Sequence, residues 1–153
     1  MPTIPTHAVA AVAIGCAFPR EVVDGRWLAA GAVCAMLPDA DVIGFRFGVH
    51  YGDFLGHRGF SHSLFFAAVL ALAASALPIA SGHRRLLWLF LFLATASHGL
   101  LDALTDGGLG IAVSPIGLRG FFSGGGLSVI LSEVVWVWLP SALLAIGGLA
   151  WRR

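Results

Sequence analysis

Five long apolar stretches, separated by polar or Pro- and Gly-rich connections, dominate the sequence. They cover residues 4–18, 26–37, 63–80, 86–105 and 127–151. Because they are rich in Ala and Leu and lack alternation of apolar and polar positions, they predict helices and not strands. Crossing a bilayer takes about 20 helical residues, with about 17 as the minimum. The last three stretches meet that length, the first is marginal, and the second does so only if it extends over 24–44.

Prolines and glycines punctuate the connections. Pro19 and Pro38 are expected to end the first two helices, and Pro78 lies near the end of the third. Residues 44–59 hold five glycines and residues 107–126 hold eight. Tight turns are the first interpretation of both, and a mobile lid or backbone packed close to a ligand is the alternative. Neither segment contains the Gly-Lys-Ser/Thr of a phosphate-binding loop.

The composition agrees with a membrane location. Of 153 residues, 58% are hydrophobic and only 11% are charged, whereas a soluble domain averages about 25% charged residues. We therefore predict an all-α fold, a polytopic membrane bundle of about five transmembrane or partly spanning helices, forming one domain over 1–153. Nucleic-acid binding needs a basic face, and the net charge of +1 gives no reason to expect one, so no nucleic-acid partner is expected. The oligomeric state is left open.

Two further features concern the first two stretches. No basic residue precedes Arg20, and a secretory signal normally begins with one, so the first stretch is expected to be a retained helix. Cys16 and Cys34 would lie near opposite membrane faces. We expect both to be buried, unpaired thiols.

The arginines predict an orientation if all five stretches cross the membrane. Six would then lie on one side and three on the other, the six being Arg20, Arg26, Arg84, Arg85, Arg152 and Arg153 and the three Arg46, Arg58 and Arg119. Cytoplasmic loops carry the excess of basic residues. The first group, with the C-terminus, is therefore predicted to be cytoplasmic.

The other ionisable side chains gather on the opposite, extracytoplasmic side. These candidate ligands are His7, Asp39, Asp41, His57, His62, His98 and Asp102, with Glu133 toward the same side. The arginine count did not use these positions, yet the five-span arrangement places all of them on the same side. We therefore predict that helix ends separated in sequence meet at a single site. The prediction depends on the five-span arrangement.

The sharpest local signal is the pair His98 and Asp102. Residues four apart share one face of a helix, where they could chelate a cation or exchange a proton; an intrahelical hydrogen-bonded pair is the alternative. Ionisable groups are costly in hydrocarbon and mark function by default. Asp39 and Asp41 form a second pair after the second helix, where carboxylates can hold a divalent cation or simply form a polar turn.

The segment His-Arg-Gly-Phe-Ser-His-Ser at 57–63 is denser in polar groups. Its two imidazoles suit Zn²⁺, Fe²⁺ or Mn²⁺, to which carboxylates add oxygen ligands. The planar guanidinium of Arg58 suits a phosphate or carboxylate. Ser61 is a candidate N-cap for the third helix. The alternative is an exposed loop with incidental histidines.

Some residues and reaction classes are set aside or left open. His50 and His83 are predicted not to be ligands. Glu133 needs a partner, which Arg119 or the metal site could supply, and Thr105 and Asp106 could support the metal ligands or form a turn. The sequence has neither the Gly-x-Ser-x-Gly of serine hydrolases nor the HExxH of zincins, which disfavours both classes.

The combination of motifs resembles the YdjM-like family of bacterial inner-membrane metal-dependent hydrolases, also described as LexA-regulated or LexA-binding. It comprises Thr-His, Pro-Asp-x-Asp, His-Arg-Gly-x-Ser-His-Ser and His-x-x-x-Asp followed by Thr and Gly, and it spans Thr6 to about Pro115. The resemblance implies a bacterial inner-membrane protein with a divalent-metal hydrolase site. The implied metal ligands are His7, Asp39, Asp41, His57, His62, His98 and Asp102.

The expected function is hydrolysis of a phosphoester or other ester in a lipid or lipid-linked substrate by metal-activated water. One or two ions are expected, Zn²⁺ first, with Mn²⁺, Fe²⁺ or Mg²⁺ as alternatives. Asp39 or Asp102 would act as general base, and Arg58 would stabilise anionic charge. The alternatives are a non-enzymatic metal-binding protein for transport, sensing or partner docking, and a purely structural bundle. Ionisable groups confined to one half favour a reaction site over a transmembrane pathway.

Overall fold

The computed structural model describes residues 3–77, 82–103 and 127–152, and every regular element within them is helical. The α-helices are α1 (Ile4–Cys16), α2 (Gly25–Met36), α3 (Leu64–Ser75), α4 (Arg84–Ala103), α5 (Leu127–Glu133) and α6 (Leu139–Trp151). Two 3-10 helices cover Leu37–Phe47 and Phe60–His62, and a π-helical turn, Val134–Trp138, joins α5 to α6. The predicted all-α class is confirmed.

Within the described parts of the chain, three helical segments are long and apolar enough to cross a membrane: Gly25–Phe47, Arg84–Ala103 and Ile130–Trp151. The second apolar stretch reaches this length because the 3-10 helix Leu37–Phe47 continues α2 past Pro38. This is the extension over 24–44 that a membrane crossing required. The third stretch is shorter than predicted, since α3 has 12 residues and ends at Ser75. Pro78 explains the early end, because proline disfavours helical backbone in the residue before it. Helix α1, with 13 residues, is also short.

Side-chain caps fix where α2 and α3 begin. Asp24 accepts hydrogen bonds from the backbone N–H groups of Arg26 and Trp27 at 2.9 and 3.1 Å. The side chain of Arg26 also bonds this carboxylate and helps hold the pKa of Asp24 below its usual value. At α3 the cap is Ser63, which accepts from the N–H of Phe66 at 3.0 Å. The prediction of Ser61 as the cap is therefore wrong, because α3 begins at Leu64, two residues later than a cap at Ser61 would require.

Helix α4 lies at the centre of the bundle, in contact with α1, α2 and α3, while α6 packs along α1. The main core cluster forms around its first half, where Leu87, Phe90 and Leu91 are fully buried. Gly31 of α2 lies so close to the Phe90 ring that an added Cβ would overlap it. This apolar core occupies one end of the bundle and leaves the second half of α4 for polar residues.

Beyond the end of the 3-10 helix at Phe47, the glycine-rich segment 44–59 folds as tight turns. A Cβ on Gly56 or Gly59 would overlap the backbone carbonyl oxygen of His50 or Phe54, respectively. The interpretation of these glycines as turn residues is therefore confirmed for those at 48–59, whereas Gly44 lies inside the 3-10 helix and 107–126 lies outside the described residues. Cys16 and Cys34 are buried and unpaired, as predicted.

Candidate metal centre

Side chains from four separate parts of the chain meet at the end of the bundle opposite the apolar core. Helix α4 contributes His98 and Asp102, the 3-10 helix Leu37–Phe47 contributes Asp39, the short 3-10 helix contributes His62, and α1 contributes His7. All five are buried or nearly so. The structure therefore brings together helix ends that are far apart in sequence, as the placement of the polar groups predicted.

Four of these residues, here called the central cluster, are Asp39, His62, His98 and Asp102. One nitrogen or oxygen atom from each lies within 4.8 Å of those of the others. His98 Nε2 is 3.4 Å from Asp39 Oδ1 and 3.8 Å from Asp102 Oδ2, and His62 Nε2 is 3.7 and 3.5 Å from the same oxygens. Ligands at about 2.0–2.2 Å from a tetrahedral zinc ion are about 3.3–3.6 Å apart. The spacing therefore fits one four-coordinate cation.

Several atoms that face the middle of the central cluster are buried without a hydrogen bond to any described residue. They are Asp39 Oδ1, His62 Nε2 and His98 Nε2. Buried polar atoms nearly always have partners, and a cation would satisfy all three at once. The ring of His98 is also fixed in the orientation a ligand needs, because its Nδ1 donates to the carbonyl oxygen of Ala35 at 2.7 Å. In the neutral ring, Nε2 then presents its lone pair.

The electrostatics at His62 also favour positive charge. Burial lowers the pKa of this imidazole, but the carboxylates of Asp39 and Asp41 more than offset burial and raise the pKa to about 9. The surroundings therefore stabilise a cationic group at this point. A metal ion bound there would take the place of the proton on His62 and be stabilised by the same carboxylates.

Asp41 and His57 form a supporting layer behind His62. Asp41 accepts from His57 Nδ1 at 2.7 Å and from the hydroxyl of Ser61 at 2.6 Å, and its Oδ2 lies 3.3 Å from His62 Nδ1. A carboxylate behind a ligating histidine fixes the ring and increases its basicity. Asp41, His57 and His62 are also close enough together to form a second group of possible ligands, so the two-ion version stays a prediction.

His7 and Arg58 border the central cluster. The His7 ring is fully buried, stacks on His98 with centroids 3.8 Å apart, and places Nε2 3.8 Å from Asp102 Oδ1. Arg58 is 5% exposed and its Nε lies 3.7 Å from Asp102 Oδ2. The backbone of Arg58 is in the left-handed region at φ 68°, which costs a non-glycine residue about 1–2 kcal/mol. Such strain concentrates at functional sites.

Glu133 has partners that sequence reasoning missed. Its buried carboxylate accepts from the backbone N–H and hydroxyl of Thr3 at 2.6 and 2.8 Å, and from the hydroxyl of Thr6 at 2.7 Å. Trp138 Nε1 donates to Thr6 at 2.8 Å. Glu133 therefore anchors the start of α1 beside His7. The available signal was the pair of threonines at a helix N-terminus, where free N–H groups attract a carboxylate.

The remaining candidates divide into exposed and undescribed residues. His50 and His83 are exposed and belong to neither group of possible ligands among the described residues. Arg119, suggested as a partner of Glu133, lies outside the described residues, as do Thr105 and Asp106. Whether those three contribute to the site stays a prediction.

Comparison with known proteins identifies the family. A sequence profile of the YdjM inner membrane protein family matches residues 1–151. The chain belongs to the YdjM family. The match includes α5 and α6, which lie beyond the motifs recognised between Thr6 and Pro115. Inner membrane protein YbcI of Escherichia coli (strain K12) is 42% identical to this chain over 177 aligned positions, which cover 100% of this chain and 99% of that protein.

The YdjM assignment makes the chain a membrane protein whose relative is named for the inner membrane. The three long apolar helices agree with this location. No solved structure matches the chain.

Proposed function

We propose that this YdjM-family protein is a metal-dependent hydrolase that cleaves a phosphoester or other ester of a lipid or lipid-linked substrate, with residues 1–153 forming one domain. The central cluster carries the proposal. Two imidazole nitrogens and two carboxylate oxygens converge in a buried place, and three of these four atoms have no hydrogen bond to a described residue. Mixed nitrogen and oxygen donors at this spacing suit Zn²⁺, with Mn²⁺, Fe²⁺ or Mg²⁺ as alternatives.

The chain's own residues have distinct roles in this proposal. Asp39, His62, His98 and Asp102 would hold the ion. When bound there, a divalent cation supplies Lewis-acid activation of water and offsets negative charge on the substrate. The carbonyl oxygen of Ala35 fixes the orientation of the His98 ring. The Asp41 carboxylate, behind His62, orients the His62 ring. Hydrogen bonds from His57 and Ser61 hold that carboxylate in place.

Asp102 is better placed than Asp39 to take part in proton transfer. Its Oδ2, like Oδ1 of Asp39, faces both histidine nitrogens of the central cluster, but its Oδ1 also faces His7 Nε2 at 3.8 Å. A carboxylate beside an imidazole can take up a proton and pass it on. Arg58, on the Oδ2 side of Asp102, offers a buried guanidinium to an anionic group of the substrate.

The proposed orientation places the central cluster on the extracytoplasmic side of a bacterial inner membrane, in a multi-pass protein with a cytoplasmic C-terminus. Arg84 and Arg85 begin α4, and His98 and Asp102 lie at its other end. Arg152, at the end of α6, bonds the carbonyl of Val23 and so belongs to the same end as the start of α2. Arginines are thus more numerous opposite the cluster than beside it, and cytoplasmic loops carry the excess of basic residues.

The test combines metal content with ester hydrolysis. The full chain is purified in detergent, its metals are measured by plasma mass spectrometry, and release of phosphate-containing products is followed from phospholipid vesicles and from bis(p-nitrophenyl) phosphate. We expect stoichiometric metal and hydrolysis that a chelator abolishes and added Zn²⁺ restores. Asp102→Asn should lower turnover by about 100-fold or more, the range for loss of a positioned general base.

Asp53→Asn is the matched control, because this carboxylate is exposed and, among the described residues, bonds only within its own turn. It should retain both metal and turnover. Stoichiometric metal without cleavage of any phosphoester or carboxyl ester offered would contradict the hydrolase and favour a metal-binding role in transport or sensing. Protein without stoichiometric metal would contradict the metal centre itself.

A further inference from the structure

An exposed apolar patch lies beside the metal centre, on residues 43–55. The segment begins in the 3-10 helix Leu37–Phe47 and continues through the turns that lead to His57. Its large apolar side chains and their exposed fractions are Ile43 59%, Phe45 42%, Phe47 81%, Tyr51 51%, Phe54 62% and Leu55 62%. An exposed apolar cluster of this size marks an interaction surface.

The patch is in direct contact with the supporting layer of the metal centre. The rings of Tyr51 and Phe45 lie 5.4 and 6.4 Å from the ring of His57, measured between centroids. Phe54 lies 5.4 Å from Phe60, and Phe60 begins the 3-10 helix that ends at His62. Whatever covers the patch therefore lies next to the ligands.

Charged and polar side chains alternate with these rings. Arg46, His50 and Asp53 are exposed in the same segment, directly beside or within a few residues of Phe47 and Phe54. Burial against a second protein surface would remove these charges from water, which is costly without partners. The headgroup layer of a bilayer accommodates both kinds of group, since aromatic rings and basic side chains are enriched there.

The position of the patch in the chain agrees with a bilayer as its partner. The membrane-length helix Gly25–Phe47 ends within it. On its other side the chain leads into α3, whose first residues Leu64 and Phe65 are 53% and 67% exposed. The patch thus lies between two apolar helices at the same end of the bundle, where the edge of the hydrocarbon layer would lie.

We propose that residues 43–55 insert their aromatic side chains into the headgroup layer of a phospholipid bilayer, beside the metal centre. The centre then lies at the depth of the ester and phosphate groups of lipids and takes its substrate from that layer, a consequence that rests on the proposed hydrolase function. The polar side chains Arg46, His50 and Asp53 point toward headgroups and water, and the rings point toward the acyl chains.

Depth can be measured without any enzymatic activity. Single cysteines replace Phe47 and Phe54, and the matched controls are their neighbours, in Arg46→Cys and Asp53→Cys. Each full-length protein is spin-labelled in vesicles of phosphatidylcholine and phosphatidylglycerol, and an unsubstituted sample checks that the buried Cys16 and Cys34 take up no label. Collision rates are measured with oxygen, which concentrates in hydrocarbon, and with a water-soluble nickel chelate.

We expect the ratio of oxygen to nickel collisions to be several-fold higher at positions 47 and 54 than at 46 and 53. Equal ratios within each pair would overturn the insertion. Spin–spin broadening at 47 and 54 that disappears on dilution with unlabelled protein would also overturn it, because a second copy would then cover the patch. Two independent pairs keep the test decisive if one variant fails to fold. The experiment measures membrane depth and not turnover. A failure of the insertion proposal can therefore be distinguished from a failure of the hydrolase proposal.

Discussion

Replacing His98 with alanine should lower the affinity of the protein for Zn²⁺ by about 100-fold or more. Structural zinc sites bind with about 10–16 kcal/mol shared among four ligands, so one ligand contributes about 3 kcal/mol, and each 1.4 kcal/mol is a factor of ten. His98 is a favourable case because its ring is already oriented by Ala35 and therefore loses little freedom on binding. The affinity is measured by competition with a coloured zinc chelator.

His83→Ala is the control for this substitution. His83 is exposed and lies just before the start of α4, at the other end from His98, so its removal should leave the affinity unchanged. Equal zinc affinity in the wild-type and His98→Ala proteins would contradict the assignment of the central cluster. A loss confined to His98→Ala would support it.

Gly59→Ala should disrupt the site without touching any ligand. An added Cβ would overlap the carbonyl oxygen of Phe54 and lie 2.8 and 2.9 Å from those of Gly56 and Asp53. All three are backbone atoms, so no side chain can rotate away. The turn must open, which breaks the hydrogen bond from Phe60 N–H to Phe54. Overpacking of this kind costs about 1–3 kcal/mol, and we expect a lower Tm together with loss of tight zinc binding.

Gly52→Ala is the matched control in the same segment, since a Cβ there has no atom of a described residue within 4 Å. Its Tm and zinc affinity should equal those of the wild type. If Gly59→Ala also kept both values, the tight packing of this turn would not be what positions His57, Arg58 and His62.

Hydropathy predicted most of the fold because long apolar runs have few alternatives to a helix. The run at 86–105 corresponds to Arg84–Ala103, and the extension of the second stretch past Pro38 appears as a 3-10 helix. The length of α3 was overestimated, since apolar residues continue beyond the point where the helix ends at Ser75. The convergence of polar groups did not need complete crossings. It required only that the polar helix ends lie on the same side, which α1 and α3 satisfy although they are short.

The different roles of the residues within the site could not be predicted from the sequence. Asp39 and Asp41 are two residues apart and chemically identical, yet one faces the central cluster and the other bonds His57 and Ser61. That difference arises from the turn of the 3-10 helix and from tertiary packing. The partners of Glu133, more than 120 positions away in the chain, likewise depend on how α1 packs along the C-terminal helices.

The central claim is that Asp39, His62, His98 and Asp102 hold one divalent cation. X-ray absorption spectroscopy of the zinc-loaded full-length protein tests it most directly. We predict a first shell of about four nitrogen and oxygen atoms at about 2.0–2.2 Å, with the outer-shell scattering of two imidazoles and no contribution from Cys16 or Cys34. A sulfur shell near 2.3 Å, or a first shell without imidazole scattering, would contradict the claim.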